Sequence, residues 1–190
     1  MMNFRQYTNV TKVAIPNGVQ LSNTSFYDTF RNMKNLISTT IPNSVTNMYG
    51  TYYDCQNLKD SPVCGDKVTT MTYTYHNCRN LTGSPVCGPN VINMRNTYYC
   101  CFNLTGSPVC GENVTDMHNA YYCCSNLTGS PVCGDKVQNM THAYLGCSNL
   151  TGSPICGDKV QNMAWTYYGC YNITGSPVCG NNVTDMASTY

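Results

Sequence analysis

The chain has 190 residues, a formal net charge of +1 and only 10% charged side chains, which excludes a duplex nucleic-acid binder built on a basic stripe. Its 16 Tyr, 14 Cys and 10 Met are not the composition of a solvated disordered chain. No stretch approaches the roughly 18–20 consecutive apolar residues of a membrane span, no apolar leader core follows Met1, and scarce Leu with a single Glu, Glu112, argues against a helical bundle.

Residues 1–50 read as an N-terminal cap and degenerate coils of a repeat that becomes regular at residue 51. Ile15 and Pro16 before Val19, and Ile41 and Pro42 before Val45, match a later step from Cys64 to Val68, with Ile in place of Cys. Phe30, Met33 and Leu36 stand where Tyr75, Cys78 and Leu81 stand later. The spacing slips in this region, with 20–25 reading as an insertion. Terminal repeats are expected to be atypical because they shield the core from water.

From residue 51 to 190 the period is 23 residues. Cys55, Cys78, Cys101, Cys124, Cys147 and Cys170 form one column, and Cys64, Cys87, Cys110, Cys133, Cys156 and Cys179 a second. Leu58 to Ile173, Val68 to Val183, Met48 to Met186 and Tyr52 to Tyr190 keep the same step. Two helices with turns need about 33 residues, whereas a 20–29-residue unit fits one coil of a leucine-rich-repeat solenoid. The predicted fold is therefore a leucine-rich-repeat-like solenoid with short parallel strands and irregular returns. The strand is placed at Ser61–Cys64 and its counterparts, closed by Gly65, with Pro62 at its first position because Pro lacks a ladder donor. A second extended piece is expected around Val68 to Met71. The regular repeats end in mid-unit at Tyr190 with no cap, which predicts either a longer protein or a covering chain.

These motifs resemble the BspA-like leucine-rich repeats of bacterial surface proteins and of phage or prophage proteins from gut bacteria. Tyr75, Cys78 and Leu81 match the family's F-x-x-C-x-x-L step, and Ile41, Pro42, Val45, Thr46 and Met48 match its Ile-Pro and V-T-x-[MI] steps. The resemblance covers nearly the whole chain. It implies a non-enzymatic scaffold on a phage virion or a bacterial cell surface, without a shared active site. The chain departs from the family in placing Cys where the strand Ile sits, and it shows no signal peptide of an exported adhesin; the second departure leans toward a phage tail-associated, host-binding module. The alternatives are a bacterial surface adhesin fragment and a purely structural, self-assembling spacer.

The cysteines read first as buried thiols, since free Cys packs like a small hydrophobe. A disulfide framework is the alternative, with Cys100 and Cys123, one rung apart and beside the column, as the first pair to suspect. No paired C-x-x-C spacing marks a zinc site, and His76, His118 and His142 share no column, so neither a metal nor another cofactor is expected. No nucleophile motif or phosphate-cradling loop appears, so an enzyme is not expected. Asn80, Asn103, Asn126 and Asn149 spell glycosylation sequons, but they read better as a buried ladder bonding neighbouring coils.

Two columns vary between coils that are otherwise alike. Two places after the Met stand Tyr73, Asn96, Asn119, His142 and Trp165, and one place after the column Cys stand Arg79, Phe102, Ser125, Ser148 and Tyr171. Drift at exposed sites explains Ser and Asn. Aromatic residues and Arg on a rigid frame fit a binding surface for a protein or a cell-surface glycan. The candidate ligand residues are Tyr73, Arg79, Asn96, Phe102, Asn119, His142, Trp165 and Tyr171. If the second Cys column faces inward, alternation turns Val63, Val86, Val109, Val132, Ile155 and Val178 outward as an apolar stripe. That stripe, or the open C-terminal end, is the expected contact of a homo-oligomer.

Overall fold

The computed structural model describes residues 3–16, 18, 19, 21 and 23–190. Asn17 of the first Ile-Pro step and residues 20 and 22 of the expected insertion lie outside them. Each unit forms one coil, and the coils stack in register. Single-residue parallel bridges run from Ser25 through Asn47, Thr70, Asn93, Asp116, Asn139 and Asn162 to Asp185. This column belongs to the second extended piece.

Past each bridge the chain runs through tight turns that are also a ladder. In one coil Met71, Tyr73, Tyr75 and Asn77 donate their N–H groups to Asn93, Arg95, Thr97 and Tyr99 of the next coil at 2.7–3.0 Å. Of the N–H groups between them, Thr74 bonds three residues back to Met71 at 2.9 Å and His76 to Tyr73 at 3.3 Å, while Thr72 turns to Thr70 Oγ1 at 3.3 Å. This alternation places two left-handed residues in the segment, Tyr73 at φ 57° and Asn77 at φ 62°. The alternation pairs most of the segment's backbone donors without a long strand.

The strand expected at Ser61–Cys64 needs correction. The named strands are β1 (Lys12–Ala14) and β2 (Ser38–Thr40), paired in parallel near the N-terminus. In the Ser-Pro-Val-Cys segment only Val132, Ile155 and Val178 make parallel bridges. In the earlier coils a tyrosine takes both backbone groups of the Val. Tyr75 Oη accepts from Val63 N–H at 2.8 Å and donates to Val63 C=O at 2.9 Å. Tyr98 does the same to Val86, and Tyr121 to Val109. With the Pro nitrogen unable to donate and the Val groups taken, little is left to pair with the next coil.

The interior is a set of columns. Phe4, Phe30, Tyr52, Tyr75, Tyr98, Tyr121, Tyr144, Tyr167 and Tyr190 form one continuous ring stack, with centroids 5.1–6.1 Å apart. Phe4 covers its first ring, and nearby the buried Asp28 carboxylate pairs with Arg5 and Arg31. Met, Leu and Val columns fill the remainder, and exposure returns in the last coil, where Met186 is 47% exposed.

All fourteen cysteines are free thiols. The first column is buried, and each thiol donates to a carbonyl of the coil before: Cys78 Sγ to Tyr52 O and Cys101 Sγ to Tyr75 O, both at 3.0 Å. A small side chain that also donates suits this place, because it adds a second hydrogen bond to a carbonyl that already accepts from the backbone, as Tyr52 O does from Cys55 N–H at 3.0 Å. Cys100 and Cys123 lie one rung apart and half-buried, and burial pushes both thiols up.

The near-constant Thr-Gly-Ser step has a packing cause. Gly106 sits at φ 79°, and a Cβ there would collide with Ser84 Oγ of the preceding coil. Each Ser fits over the next coil's Gly, so neither tolerates bulk. The asparagine column also differs from expectation. Asn103 and Asn126 are exposed, and the ladder joins side chain to side chain, from Asn103 to Asn80 and from Asn80 to Asn57 at 3.3 Å. The backbone there already bonds across coils, Thr105 N–H to Gly83 O at 2.9 Å, which leaves the amides outside.

Candidate recognition face

The first variable column is a column of left-handed backbone. Gly50, Tyr73, Asn96, Asn119, His142 and Trp165 have φ between 53° and 58°. Gly accepts that geometry freely and Asn tolerates it, whereas a bulky side chain there is an outlier costing roughly 1–2 kcal/mol. Asn96 is buried, and its Oδ1 accepts from Asn119 Nδ2 at 3.1 Å, so these two serve the frame. Tyr73 and His142 are half-buried, and Trp165 is 38% exposed. In the second variable column Arg79, Phe102 and Tyr171 are exposed, the last at 84%, and the Arg79 guanidinium lies 6.0 Å from the Phe102 ring centre.

Between these columns runs a third that sequence reasoning passed over. Tyr53, His76, Tyr99 and Tyr122 stack face to face at 4.5 Å, with interplanar angles of 11° or less. The signal was present as the second member of each aromatic doublet, such as Tyr98-Tyr99 and Tyr121-Tyr122. One ring of each doublet enters the core stack and its neighbour turns out. Tyr73 joins this outer stack edgewise to Tyr49, whose ring stacks on Tyr27 at 4.8 Å. The result is one aromatic face along the solenoid.

The two ends of that face differ electrostatically. At the N-terminal end Arg31 lies 3.9 Å over Tyr53 and pairs with Asp28 at 3.2 Å, and Lys34 stands 3.8 Å from Asp54. His76 lies between two rings, and burial, partly offset by Asp54, pushes its imidazole down to about 4. Its Nδ1 is buried without a hydrogen-bond partner. Further along, Arg95 and Asp116 pair at 3.1 Å. Beyond Asp116 the face carries no charged residue through Tyr171, because Asp135, Lys136, Asp158 and Lys159 sit on exposed turns elsewhere in their coils. Here the outer stack stops at Leu145, and His118, His142, Trp165 and Tyr168 cluster instead.

The second Cys column lies inward of the Val column. Cys133 and Cys156 are buried, whereas Val132, Ile155 and Val178 are 49%, 51% and 62% exposed. Val63 is exposed too, while Val86 and Val109 are half-buried. At the C-terminal end a cavity of about 810 Å³ is lined by Tyr167, Cys170, Ile173, Pro177 and Tyr190 among others, positions that the following coil covers elsewhere in the stack. Among the described residues no three His, Cys, Asp or Glu side chains group as a metal site would require. No helix among them is long and apolar enough to cross a membrane.

No family model matches the chain, and no curated protein does. Among solved structures it is similar to a leucine-rich repeat protein from Bacteroides ovatus ATCC 8483, at 14% identity and a TM-score of 0.44, over 93% of this chain and 70% of that one.

Proposed function

We propose that the chain is a non-enzymatic repeat scaffold whose aromatic face is a recognition surface, carried on a phage virion or a bacterial cell surface. The observation that carries this reading is Trp165, supported by Tyr73 and His142. At a left-handed backbone position drift favours Gly or Asn, as at Gly50, Asn96 and Asn119, and a bulky ring is kept there against strain. Strain of this kind collects at functional sites. The frame suits the task, since inter-coil hydrogen bonds hold the backbone and display costs little ordering entropy on binding. The partner is a protein or a cell-surface glycan. With a net charge of +1 and no basic stripe, nucleic acid is not among the partners. The motif resemblance is to phage and cell-surface proteins alike; a host-binding, tail-associated module is the first reading and an adhesin fragment the alternative.

The test is labelling of intact gut bacterial cells by the fluorescent protein, beside a variant with Arg79, Phe102, Trp165 and Tyr171 all changed to Ala. The expected result is that some strain is labelled by the wild type and not by the folded variant. Equal labelling by both removes these residues from the contact.

A second reading, self-association as a spacer, is favoured by the exposed stripe of Val132, Ile155 and Val178. Sedimentation that shows a monomer at high protein concentration would exclude it.

A further inference from the structure

The outer ring column changes character along the solenoid. From Tyr53 to Tyr122 each ring covers its neighbour's face, so the stack presents ring edges outward. The C–H face of a sugar ring docks on the negative face of an aromatic ring, and a stacked column offers no such face. At Leu145 the column is interrupted, and the rings around the gap meet by their edges. Tyr122 and His142 are 6.5 Å apart at 74°, His118 and His142 5.8 Å at 70°, and Trp165 and Tyr168 4.9 Å at 61°. Edge-on pairing leaves faces uncovered. Trp165 and Tyr168 are 38% and 47% exposed.

The cluster also holds no Lys, Arg, Asp or Glu, which selects among ligands. An acidic peptide or glycan needs a cation, and no Lys or Arg stands on the face beyond Arg95, already paired to Asp116. An extended peptide gains affinity from main-chain hydrogen bonds at a sheet edge, but here the backbone is spent. Trp165 N–H donates to Ala187 O at 2.8 Å, and His142 N–H to Ala164 O at 2.9 Å. What remains is the imidazoles of His118 and His142 and the hydroxyls of Tyr122 and Tyr168, which match sugar hydroxyls.

We propose that His118, Tyr122, His142, Trp165 and Tyr168 form a subsite for a neutral carbohydrate, with Trp165 and Tyr168 as its stacking platform. This rests on the aromatic face being the recognition surface. Trp165 is the only Trp, so its fluorescence reports the subsite directly. The probes are neutral tetrasaccharides of glucose, mannose, galactose and N-acetylglucosamine, beside a sialylated oligosaccharide.

The expected result is a saturable change in Trp165 emission with at least one neutral probe, weakened about tenfold by Tyr168→Ala and unaltered by Lys136→Ala, on an exposed turn off the aromatic face. A response to the sialylated probe alone overturns the assignment to neutral sugar. Cell labelling separates this failure from failure of the wider reading. Labelling that depends on Trp165, survives periodate oxidation of the cell-surface glycans and is lost on protease treatment makes the ligand a protein, overturning the subsite while the recognition face stands. No emission change with any probe, together with no labelled strain, overturns both.

Discussion

The segments 82–88 and 128–134 have the same sequence, Thr-Gly-Ser-Pro-Val-Cys-Gly, yet they are held in two ways. In the earlier coils the Val backbone is clamped by a tyrosine hydroxyl of its own coil, as Val86 is by Tyr98. In the later coils it pairs between coils, as Cys133 N–H does with Ile155 O and Ile155 N–H with Pro131 O. Val is then more exposed and Cys more buried. Tyr144, at the changeover, keeps a buried hydroxyl with no partner, and Tyr167 turns to Cys156 at 3.5 Å. Identical heptapeptides with two hydrogen-bond solutions show that this part of a coil is decided by its partners rather than by its own residues. The two solutions must be close in free energy.

The largest effects come from removing whole rings. Tyr98→Ala breaks the core stack and the clamp together and is expected to cost about 3–5 kcal/mol in urea unfolding. Tyr144→Ala, which loses the ring alone, is expected to cost less. Equal losses would mean that the clamp contributes nothing. Removing only the oxygen sharpens the contrast. Tyr98→Phe takes the hydroxyl partner from the half-buried Val86 N–H and C=O and is expected to cost about 1 kcal/mol, whereas Tyr144→Phe, which deletes an unsatisfied hydroxyl, is expected to be neutral or stabilising.

A smaller difference concerns pH. The outer column carries His only at His76, with Tyr99, Tyr122, Leu145 and Tyr168 in the coils that follow. The His76 folded-state value of about 4 lies below the ordinary 6.5, so its contribution is present above 6.5 and lost as pH falls toward 4. Thermal melts should show Tm falling through that window, and His76→Tyr, which keeps a ring in the stack, should reduce the fall. An unchanged fall would assign it elsewhere, with His118, also held low by burial, as the next group to change.

The smallest effect is in thiol labelling. Burial pushes Cys64 to about 11 and Cys156 also to about 11, so access rather than thiolate fraction separates them. Mass-mapped alkylation of the native protein should reach the half-buried Cys100, Cys123, Cys64 and Cys87 before Cys133 and Cys156. The reverse order would contradict the two pairings.

The period and the core columns were legible because a repeat displays its own register, whereas Ser-Pro-Val-Cys is too short to say from sequence whether Cys or Val faces inward. The location of the continuous ladder was not legible either. Ser-Pro-Val-Cys has the more strand-like composition, but its donors are taken by a hydroxyl twelve residues away, as Val63 N–H is by Tyr75, a tertiary contact that local propensity does not carry. The outer ring column was missed because each doublet was read for the member that enters the core. The left-handed positions were hidden because only Gly50, Asn96 and Asn119 have residue types that suggest them, while Tyr73 and Trp165 conceal them.

The measurement that tests the recognition face most directly compares two triple variants in one cell-labelling experiment. Tyr99, Tyr122 and Trp165 changed to Ser strip the aromatic face, and Lys67, Lys136 and Lys159 changed to Ser strip the charged turns. The expected result is loss of labelling in the first and full labelling in the second, with both folded by circular dichroism. Labelling kept by the first and lost by the second would contradict the account, and would move the contact to the Asp-Lys turns.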